Sequence, residues 1–329
     1  MSHGFQRYFN NKINLVSKNY SLILGLKPSE GARSPKTWNK FYRKLNINCK
    51  MYPGDLSKKN LKKLLNYIKK DNSFIGAAVT MPYKETVVKY LDFLDKSAKK
   101  IGSVNTIVKI GNRLKGYNTD YLACKNLIRK FNKKKKILIL GLGGAGKAVF
   151  IASVEIFKNK EIMIFNRDTK KIKKFLKSFN RKKIKVLENY EDLAKLKKID
   201  LLINSTSVGF DLWQRNKKGF FNLKFFSPLS NLNKMVEIKT KSQKNFIKVN
   251  KKLLNFNLNQ SELFLKNNEK LSVIDIIYQP LRTKLIKLSD NKNMNTENGL
   301  KINKLQAIKA FILANKISNS KIRNKILSI

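Results

Sequence analysis

The chain has 329 residues, 42% of them hydrophobic, which is long enough for two domains with separate cores. Its 71 lysines and arginines, 21 acidic residues and one histidine give a formal net charge of +50. Because His3 is the single imidazole, Ser-His-Asp and Cys-His nucleophile systems and histidine-bearing zinc sites are excluded, and proton transfer near neutral pH must use lysine, tyrosine or a carboxylate.

The positive charge consists mainly of lysine and is spread over helices, loops and tail, together with abundant asparagine and isoleucine. This pattern is typical of the coding bias of an AT-rich genome, whereas a selected phosphate-binding surface would concentrate its charge and favour arginine. The sequence contains no zinc-finger spacing and no RNP-like aromatic stretch. We therefore expect some salt-sensitive binding to polyanions but no specific nucleic-acid partner.

The sequence also indicates a cytoplasmic protein. No stretch approaches the ~18–20 consecutive apolar residues that span a membrane, and the N-terminus lacks the apolar run of a signal peptide. The cysteines, Cys49 and Cys124, have no metal-ligand spacing and are too few for a disulfide framework. We expect no metal, no membrane partner, and a monomer or homodimer that acts on a small molecule.

The first third of the chain alternates apolar runs with helical patterns. Strands are predicted over residues 21–26 and 77–81, and helices over 34–47 and 58–70. Ser34 has the side chain of a helix N-cap, and Pro35 suits the first turn. This βαβα order predicts a sheet with crossover helices.

A second α/β unit begins near residue 134 with a strand, a glycine turn and a helix. Further strands are predicted over residues 161–168, 198–210 and 271–280, the last ended by Pro280. Residues 213–269 have weak periodicity, which indicates a lengthened loop with marginal helices. Residues 298–317 predict a strongly amphipathic helix.

Gly141, Gly143 and Gly146 fit the G-x-G-x-x-G pattern of a dinucleotide-binding turn, because they follow an apolar strand and open a helix. Gly141 would allow the tight turn, Gly143 would let a pyrophosphate approach the backbone, and Gly146 would let the helix pack on the strand. The helix N-terminus would then present N–H groups to the phosphates. The alternative is an ordinary tight turn between a strand and a helix.

The end of the next strand bears on the choice between NAD and NADP. An NAD site typically has an acidic residue there for the ribose hydroxyls, whereas this chain has Asn166 and Arg167, followed by Lys170 and Lys171. A guanidinium with nearby ammonium groups favours the 2′-phosphate of NADP. Asp168 counts against NADP, because its carboxylate would repel that phosphate. The pattern as a whole favours NADP.

Three segments resemble, in order and spacing, the substrate-domain motifs of the shikimate/quinate dehydrogenase family: "GAAVTMPYKE" (76–85), "AKKIGSVNTIV" (98–108) and "LKGYNTDYLA" (114–123). The glycine turn, "FNRD", "INSTSVG", "IDIIYQPLRTKL" and "NGLKINKLQA" continue the resemblance to the C-terminus. The implied fold class is α/β. It comprises an N-terminal α/β substrate-binding domain (1–119), a Rossmann-type NADP-binding domain (120–297) and C-terminal helices (298–329) that return to the first domain.

The resemblance implies reduction of 3-dehydroshikimate to shikimate with NADPH, a step of chorismate and aromatic amino acid biosynthesis. Such a reduction needs a hydride on carbon and a proton on oxygen, and a lysine ammonium can donate that proton. Lys84 and Asp120 match the family's catalytic pair, which brackets the reacting hydroxyl. The other implied substrate contacts are Ser34, Thr80, Asn105, Tyr278 and Gln306.

The implied cofactor contacts lie at the ends of the strands of the second unit. They are Gly141, Gly143, Gly144, Ala145, Gly146, Asn166, Arg167, Ser205, Thr206 and Gly299. Asn118, in the same motif as Asp120, is expected to shape its turn.

Two positions depart from the family pattern. Ala32 stands where the first serine of a Ser-x-Ser-Pro segment holds the substrate carboxylate, and Ala78 replaces the asparagine of G-x-N-V-T. Losing a donor to a charged group costs ~1.5–3 kcal/mol, and Arg33 or Ser29 is a candidate to replace it. These changes keep a quinate or other cyclitol-acid dehydrogenase open as an alternative. The net charge keeps open a noncatalytic nucleotide- or nucleic-acid-binding protein.

Each site residue also has a purely structural interpretation. Lys84 suits a surface lysine after a proline turn, and Asp120 suits the N-cap of the following helix. Asn105 suits a turn, Tyr278 a buried strand aromatic, and Gln306 a polar position on a helix face. The coincidence of three motifs in the family's order favours the functional interpretation, above all for Lys84, Asp120 and Asn105.

Overall fold

A computed structural model describes residues 3–179 and 184–327. The chain forms two compact units, which we call the first unit (Met1–Ala123 with Asn303–Ile329) and the second unit (Cys124–Ile302). Each unit contains a six-stranded sheet with helices packed on it. The predicted α/β class is therefore confirmed.

The first unit contains six strands that form one mixed sheet. The strands are β1 (Asn19–Gly25), β2 (Cys49–Asp55), β3 (Phe74–Val79), β4 (Phe93–Leu94), β5 (Thr106–Ile110) and β6 (Arg113–Tyr117). Their order is β2-β1-β3-β5-β6-β4. Strands β1, β2 and β3 are parallel, whereas β5 runs antiparallel to both β3 and β6.

This topology brings the three sequence motifs of the first unit to one edge of its sheet. Ala78 at the end of β3 lies opposite Thr106 at the start of β5, and Thr106 lies opposite Tyr117 at the end of β6. The segments that follow β1, β3 and β6 and the segment that precedes β5 therefore emerge on the same side. Residues 80–85, 103–105 and 118–120 are neighbours there although they are distant in sequence.

Helices cover both faces of this sheet. They are α1 (His3–Gln6), α2 (Ser34–Lys44), α3 (Leu61–Lys70), α4 (Tyr83–Thr86), α5 (Lys96–Ile101), α13 (Leu300–Ala314) and α14 (Ser320–Leu327), while α6 (Asp120–Ile128) contains the boundary between the units. Helix α3 buries leucines on one face of the sheet, and α2 and α13 bury aromatic residues on the other. Helix α2 begins at Ser34 itself rather than after it, because Arg33 already has helical dihedral angles.

The C-terminal helix α13 is attached to α2 within the first unit. The Phe311 ring packs against Phe41 and Tyr42 with centroid distances of 5.0 Å each, and Trp38 Nε1 donates a hydrogen bond to the Ala307 carbonyl at 3.1 Å. The predicted helix forms, but it is not strongly amphipathic, since most of its side chains are at least half-buried. This packing carries Gln306 to the motif edge of the sheet.

The second unit contains a wholly parallel six-stranded sheet and a small hairpin. The strands are β7 (Lys136–Leu140), β8 (Glu161–Phe165), β9 (Ile184–Leu187), β10 (Leu201–Asn204), the hairpin β11 (Trp213–Arg215) and β12 (Phe220–Asn222), β13 (Ser272–Asp275) and β14 (Asn295–Asn298). The sheet order β14-β13-β10-β7-β8-β9 is the doubly wound order of dinucleotide-binding folds. Ligands in such sheets bind at the carboxyl ends of the strands beside the first strand, which here is β7.

The helices of the second unit are α7 (Gly144–Ile156), α8 (Thr169–Phe175), α9 (Tyr190–Ala194), α10 (Gln243–Val249), α11 (Lys251–Lys266) and α12 (Lys284–Asp290). Strand β13 ends at Asp275, so the prediction that Pro280 ends it is wrong. The chain turns earlier because the Asp275 carboxylate accepts the N–H of Ile277 at 3.1 Å.

The prediction of a lengthened loop with marginal helices over 213–269 is also wrong. The segment forms the β11–β12 hairpin and a 16-residue helix, α11, with an aromatic cluster that includes Phe226 and Phe246. Asn257, on α11, is buried and bonds both the N–H and the carbonyl of Ser227, at 2.9 and 2.8 Å. Asn250 does the same with Val236, at 2.8 Å for both bonds. Asn257 occupies a core position of α11, and Asn250 directly precedes the helix. These buried polar residues interrupt the apolar periodicity that would have predicted α11.

Among residues 3–179 and 184–327, none of the helices combines the length and the apolar content that a membrane crossing requires.

Candidate active site

Lys84 and Asp120 form an ion pair in the first unit. Lys84 Nζ lies 2.6 Å from Asp120 Oδ2, and the two side chains are 18% and 9% exposed. Partial burial reduces the screening that makes exposed ion pairs weak, so the pair is held in one geometry. Lys84 is the more exposed member of the pair.

Backbone contacts at the end of β3 fix the position of Lys84. The Thr80 carbonyl accepts the N–H of Tyr83 at 3.0 Å, and the Lys84 carbonyl accepts the N–H of Val104 at 2.7 Å. The Tyr83 hydroxyl is buried and donates to the Leu56 carbonyl, and burial raises the pKa of Tyr83. Tyr83 therefore anchors this turn, and Lys84 is the residue of the turn with a proton to donate.

Asn105 connects Asp120 to the residues around it. Asn105 Nδ2 donates to Asp120 Oδ1 at 2.8 Å, to Thr119 Oγ1 at 2.9 Å and, at 3.3 Å, to Gln306 Oε1. Asn105 Oδ1 accepts the N–H of Thr119 at 2.8 Å. Both carboxylate oxygens of Asp120 therefore accept hydrogen bonds from charged or polar donors within a buried polar cluster.

Thr119 is a member of this cluster that the motif interpretation missed. Its hydroxyl lies 3.1 Å from the Gln306 carbonyl and 2.9 Å from Asn105 Nδ2, and its side chain is buried. The signal was present, because Thr119 stands between two expected site residues, Asn118 and Asp120, in the "YNTD" segment.

Asn118, rather than Asp120, caps helix α6. Asn118 Oδ1 accepts the N–H of Tyr121 at 3.2 Å, and its Nδ2 donates to the Ser103 carbonyl at 2.9 Å. The expectation that Asn118 shapes this turn is confirmed, whereas the structural alternative for Asp120 as the N-cap is wrong. Because Asn118 supplies the cap, the Asp120 carboxylate is available to Lys84 and Asn105.

The segment after β1 contains the expected carboxylate contacts. Ser34 is buried at the start of α2, and Arg33 is exposed beside it. Ala32 packs against the apolar cluster of α2 and α13. The hydroxyl of Ser29 donates to Asp55, and its N–H donates to the same carboxylate at 2.9 Å. Ser29 is therefore committed to Asp55, which leaves Arg33 as the candidate to replace the missing serine.

Thr80 and Ala78 lie at the carboxyl end of β3. Thr80 is half-buried and follows the strand directly, so its side chain is at the motif edge. Ala78 is 8% exposed and belongs to the same apolar cluster as Ala32. Ala32 and Ala78, the two departures from the family pattern, thus both add apolar side chains to one cluster of the first unit.

The glycine turn of the second unit fits a dinucleotide. Gly141 has a φ of +95°, which disfavours any side chain, and an added Cβ at Gly146 would lie 2.6 Å from the Gly141 carbonyl oxygen. An added Cβ at Gly143 would meet no atom within 4 Å. Open space at Gly143, in front of the N-terminus of the 13-residue helix α7 with Gly144, Ala145 and Gly146 in its first turn, is what a pyrophosphate needs.

The segment after β8 contains the residues expected to discriminate between NAD and NADP. Asn166 Oδ1 accepts the N–H of Leu142 at 3.1 Å, so Asn166 supports the glycine turn. Arg167 is exposed. Asp168 caps helix α8, because its carboxylate accepts the N–H of Lys171 at 3.0 Å. The carboxylate that counted against NADP therefore has a structural role.

Ser205, Thr206 and Gly299 also lie at the carboxyl edge of the second sheet. The Ser205 hydroxyl donates to the Leu140 carbonyl at 2.7 Å, which ties the end of β10 to the glycine turn. An added Cβ at Gly299 would lie 1.8 Å from the Ile276 carbonyl oxygen, so this position requires glycine. Tyr278 follows β13 and packs edge-on against Phe210 with a centroid distance of 6.5 Å.

The predicted residues thus assemble into two groups, each within one unit. Lys84, Asn105, Asp120 and Gln306 form one hydrogen-bonded cluster in the first unit. The glycine turn, Asn166 and Ser205 form the other group in the second unit. Tyr278 belongs to the second unit, and its role toward a substrate stays a prediction.

Comparison with known proteins agrees with this geometry. Residues 26–107 match the shikimate dehydrogenase substrate-binding domain, and residues 124–217 match shikimate/quinate 5-dehydrogenase. An NADP-dependent shikimate dehydrogenase of Pyrococcus furiosus is 31% identical over 92% of this chain and 91% of its own length. The chain belongs to the shikimate dehydrogenase family. The resemblance inferred from the motifs is therefore confirmed, and with it membership of a family of oxidoreductases.

Two further similarities extend the comparison. The NADP-dependent shikimate dehydrogenase of Streptococcus sanguinis is 30% identical over 87% of this chain and 88% of its own length. The crystal structure of shikimate dehydrogenase 1 from Peptoclostridium difficile superposes with a TM-score of 0.68 at 26% identity, covering 94% of this chain and 97% of that one. The enzyme of Thermus thermophilus, solved with NADP(H) and shikimate, has the same fold with a TM-score of 0.67, at 23% identity and 94% and 98% coverage.

Proposed function

We propose that this chain reduces 3-dehydroshikimate to shikimate with NADPH, with Lys84 and Asp120 as its catalytic residues. The observation that carries the proposal is the half-buried Lys84–Asp120 ion pair, 2.6 Å long, inside the "VTMPYK" and "YNTD" motifs of a shikimate dehydrogenase. The names of the curated relatives, which specify NADP, support the reaction and the cofactor.

Lys84 has the chemistry of the proton donor. When bound, NADPH supplies the hydride that reaches the carbonyl carbon of the substrate. The Lys84 ammonium stabilises the negative charge that develops on the carbonyl oxygen and gives that oxygen a proton. The neutral amine then regains a proton from water.

Asp120 holds the Lys84 ammonium in place. Its Oδ2 accepts from Lys84 Nζ at 2.6 Å, while Asn105 fixes its Oδ1 at 2.8 Å. In the reverse reaction the same step runs backwards, so the neutral Lys84 amine accepts the proton of the substrate hydroxyl while Asp120 holds Lys84 in place.

The second unit has the residues that would hold NADPH. The amides of the α7 N-terminus and the open space at Gly143 would receive the pyrophosphate. The Arg167 guanidinium, with Lys170 nearby, would bind the 2′-phosphate. The Asp168 carboxylate caps helix α8. The assignment of NADPH therefore does not require this carboxylate to face the 2′-phosphate.

Arg33 and Ser34 are proposed to hold the substrate carboxylate. Ala32 cannot donate a hydrogen bond and Ser29 is bonded to Asp55, whereas an arginine can bind a carboxylate through two parallel bonds. Ala32 and Ala78, which replace polar residues of the family pattern, leave a second candidate, quinate or another cyclitol acid, whose polar groups differ from those of shikimate. KM values for shikimate and quinate, with and without Arg33→Ala, separate the two candidates.

A steady-state assay tests the catalytic proposal. Purified protein with shikimate and NADP should produce absorbance at about 340 nm, and Lys84→Ala should lower kcat by ~10²–10⁴-fold. The dissociation constant for NADPH should stay unchanged, because Lys84 lies outside the glycine turn. Lys89→Ala is the matched control, since Lys89 is an exposed lysine five residues further along. Full turnover by Lys84→Ala would refute the assignment.

We also propose a cytoplasmic location and a monomeric or homodimeric state. The two cysteines, Cys49 and Cys124, are buried and no disulfide joins them, which is typical of proteins in a reducing compartment. Cell fractionation and light scattering on the purified protein test these two proposals.

A further inference from the structure

A buried aspartate lies at the carboxyl edge of the second sheet, outside the groups assigned above. Asp275 is the last residue of β13 and has no exposed surface. Its carboxylate accepts three hydrogen bonds: from Asn204 Nδ2 at 3.0 Å, from the N–H of Ile277 at 3.1 Å and from the Thr283 hydroxyl at 2.7 Å. A fully buried carboxylate without a cationic partner is costly, so its retention requires a reason.

Asp275 determines how the amide of Asn204 is oriented. A carboxylate only accepts hydrogen bonds, so the donor end of Asn204, Nδ2, must face it. The acceptor end, Oδ1, is then directed at Thr206, whose N–H and hydroxyl donate to it at 3.0 and 2.8 Å. A reversed amide would place two acceptors face to face at Asp275 and two donors face to face at the N–H of Thr206. The acceptor oxygen Oδ1 of Asp275 thus specifies the conformation of the turn at residues 204–206.

That turn packs directly on the glycine turn. An added Cβ at Gly141 would lie 3.0 Å from the backbone N of Thr206, and the Ser205 hydroxyl donates to the Gly141 carbonyl at 3.1 Å. On its other side, Asp275 bonds Ile277, the residue before Tyr278. One carboxylate therefore connects the segment beside the expected pyrophosphate position with the segment that contains Tyr278.

We propose that Asp275 is a positioning residue for the cofactor: through Asn204 it holds residues 205–206 against the glycine turn in the conformation that receives NADPH. The inference rests on the proposed function, because it takes the glycine turn to be the NADPH site. Thr283 assists by bonding the second carboxylate oxygen and by capping helix α12.

The energetics of Asp275 agree with this role. Burial raises the pKa of Asp275 to about 7, although the bonds from Thr283, Ile277 and Asn204 lower it. A group that is strained in this way close to a ligand site is typical of functional positions, whereas a neutral asparagine would serve a purely structural purpose at lower cost.

Two variants test the proposal. In Asp275→Asn, one acceptor oxygen replaces two, so the new amide turns its NH₂ donor either toward Thr283 or toward Asn204 and Ile277, and one of these bonds is lost. In Thr283→Val, the bond to the second carboxylate oxygen is lost, whereas Thr283→Ser keeps it. We expect Asp275→Asn and Thr283→Val to raise the dissociation constant for NADPH, measured by calorimetry, by about tenfold or more. KM for NADPH should rise in parallel, with kcat at saturating NADPH changed less, and Thr283→Ser should bind like the wild type.

A control separates positioning from general loss of stability. Asn257 is equally buried in the second unit, but it bonds Ser227 and Ser230 instead of the glycine turn. Asn257→Ala should lower the melting temperature without changing the affinity for NADPH. If it weakens NADPH binding as much as Asp275→Asn does, or if Asp275→Asn and Thr283→Val both bind normally, the proposal is wrong.

Hydrogen exchange makes the test independent of turnover. Amide exchange at residues 205–208 should accelerate in Asp275→Asn and Thr283→Val relative to Asn257→Ala. A wild-type protein that fails to bind NADPH would refute the proposed function, and unchanged exchange at 205–208 would refute the positioning role. If Asp275→Asn does not fold, the Thr283 pair decides the question.

Discussion

In the first unit, five polar side chains hold one another in a cluster centred on Asp120 and Asn105, whereas in the second unit the glycine turn offers backbone and open space. The first kind of site depends on which functional groups are present. The second kind depends on which side chains are absent. Substitutions in the two regions should therefore fail in different ways: the first unit should lose turnover, and the second should lose cofactor affinity.

The largest effect is expected for Asp120→Asn. The asparagine oxygen can still accept from Asn105, but its NH₂ group then faces Lys84, so the ammonium loses its carboxylate partner. We expect kcat to fall by ~10²–10⁴-fold with an unchanged NADPH dissociation constant. Steady-state kinetics and calorimetry measure the two quantities. Weakened NADPH binding with normal kcat would abolish the contrast between the units.

Two glycine substitutions separate cofactor binding from folding within the turn. Gly143→Ala adds a methyl group to open space at a φ of −76°, so the fold should tolerate it, but the methyl group should keep the pyrophosphate away. We expect about a 10–100-fold weaker affinity for NADPH and an unchanged melting temperature. Gly146→Ala should lower both the affinity for NADPH and the melting temperature, because its Cβ would lie 2.6 Å from the Gly141 carbonyl oxygen. Normal affinity in Gly143→Ala would show that the turn does not receive the cofactor.

The pH dependence of stability should identify the buried carboxylate of the second unit. Since the folded-state pKa of Asp275 is raised to about 7 from 3.8, the folded protein binds the proton more tightly than the unfolded chain. Its stabilising contribution is complete below pH ~4 and is lost as the pH rises through about 7, by at most ~1.4 kcal/mol per pH unit. Urea unfolding of the wild type and Asp275→Asn between pH 4.5 and 8 should differ by this slope. If the unfolding free energies of the two proteins change with pH in parallel, the raised pKa assigned to Asp275 is wrong.

The smallest effect is expected for Thr119→Val, which keeps the shape of the side chain and removes the hydroxyl that lies between Asn105 and Gln306. The loss of hydrogen bonds of ordinary strength should lower kcat/KM by roughly 5–10-fold. Thr106→Val is the comparison variant, because the Thr106 hydroxyl contacts Asn105 at 3.1 Å, whereas the Thr119 hydroxyl also contacts the Gln306 carbonyl. If Thr119→Val lowers activity as much as Asp120→Asn does, Asp120 is not the central residue of the cluster.

Much of this molecule was predictable because its signals are local. Buried parallel strands produce continuous apolar runs such as β7 and β10, and the glycine turn has a fixed spacing. The motifs around Lys84 and Asp120 were specific because each side chain has a chemical task. The sheet order that places these motifs at one edge could be inferred only through the family.

Other features depend on tertiary contacts and left no periodic signal. Helix α11 was missed because Asn257 occupies a core position and satisfies the Ser227 backbone, which no propensity scale anticipates. The roles of Asn204 and Asp275 depend on the pairing of β10 with β13, residues about seventy positions apart. A polar residue that ends a buried parallel strand is the one signal that could have marked them.

A double-mutant cycle on Lys84→Met and Asp120→Asn tests the central claim most directly, with kcat measured at saturating NADPH. If the ammonium and the carboxylate act as one unit, the double variant should be about as slow as the slower single variant, and all three should bind NADPH like the wild type. Multiplicative losses would show that the two residues act independently. A fast double variant would contradict the account altogether.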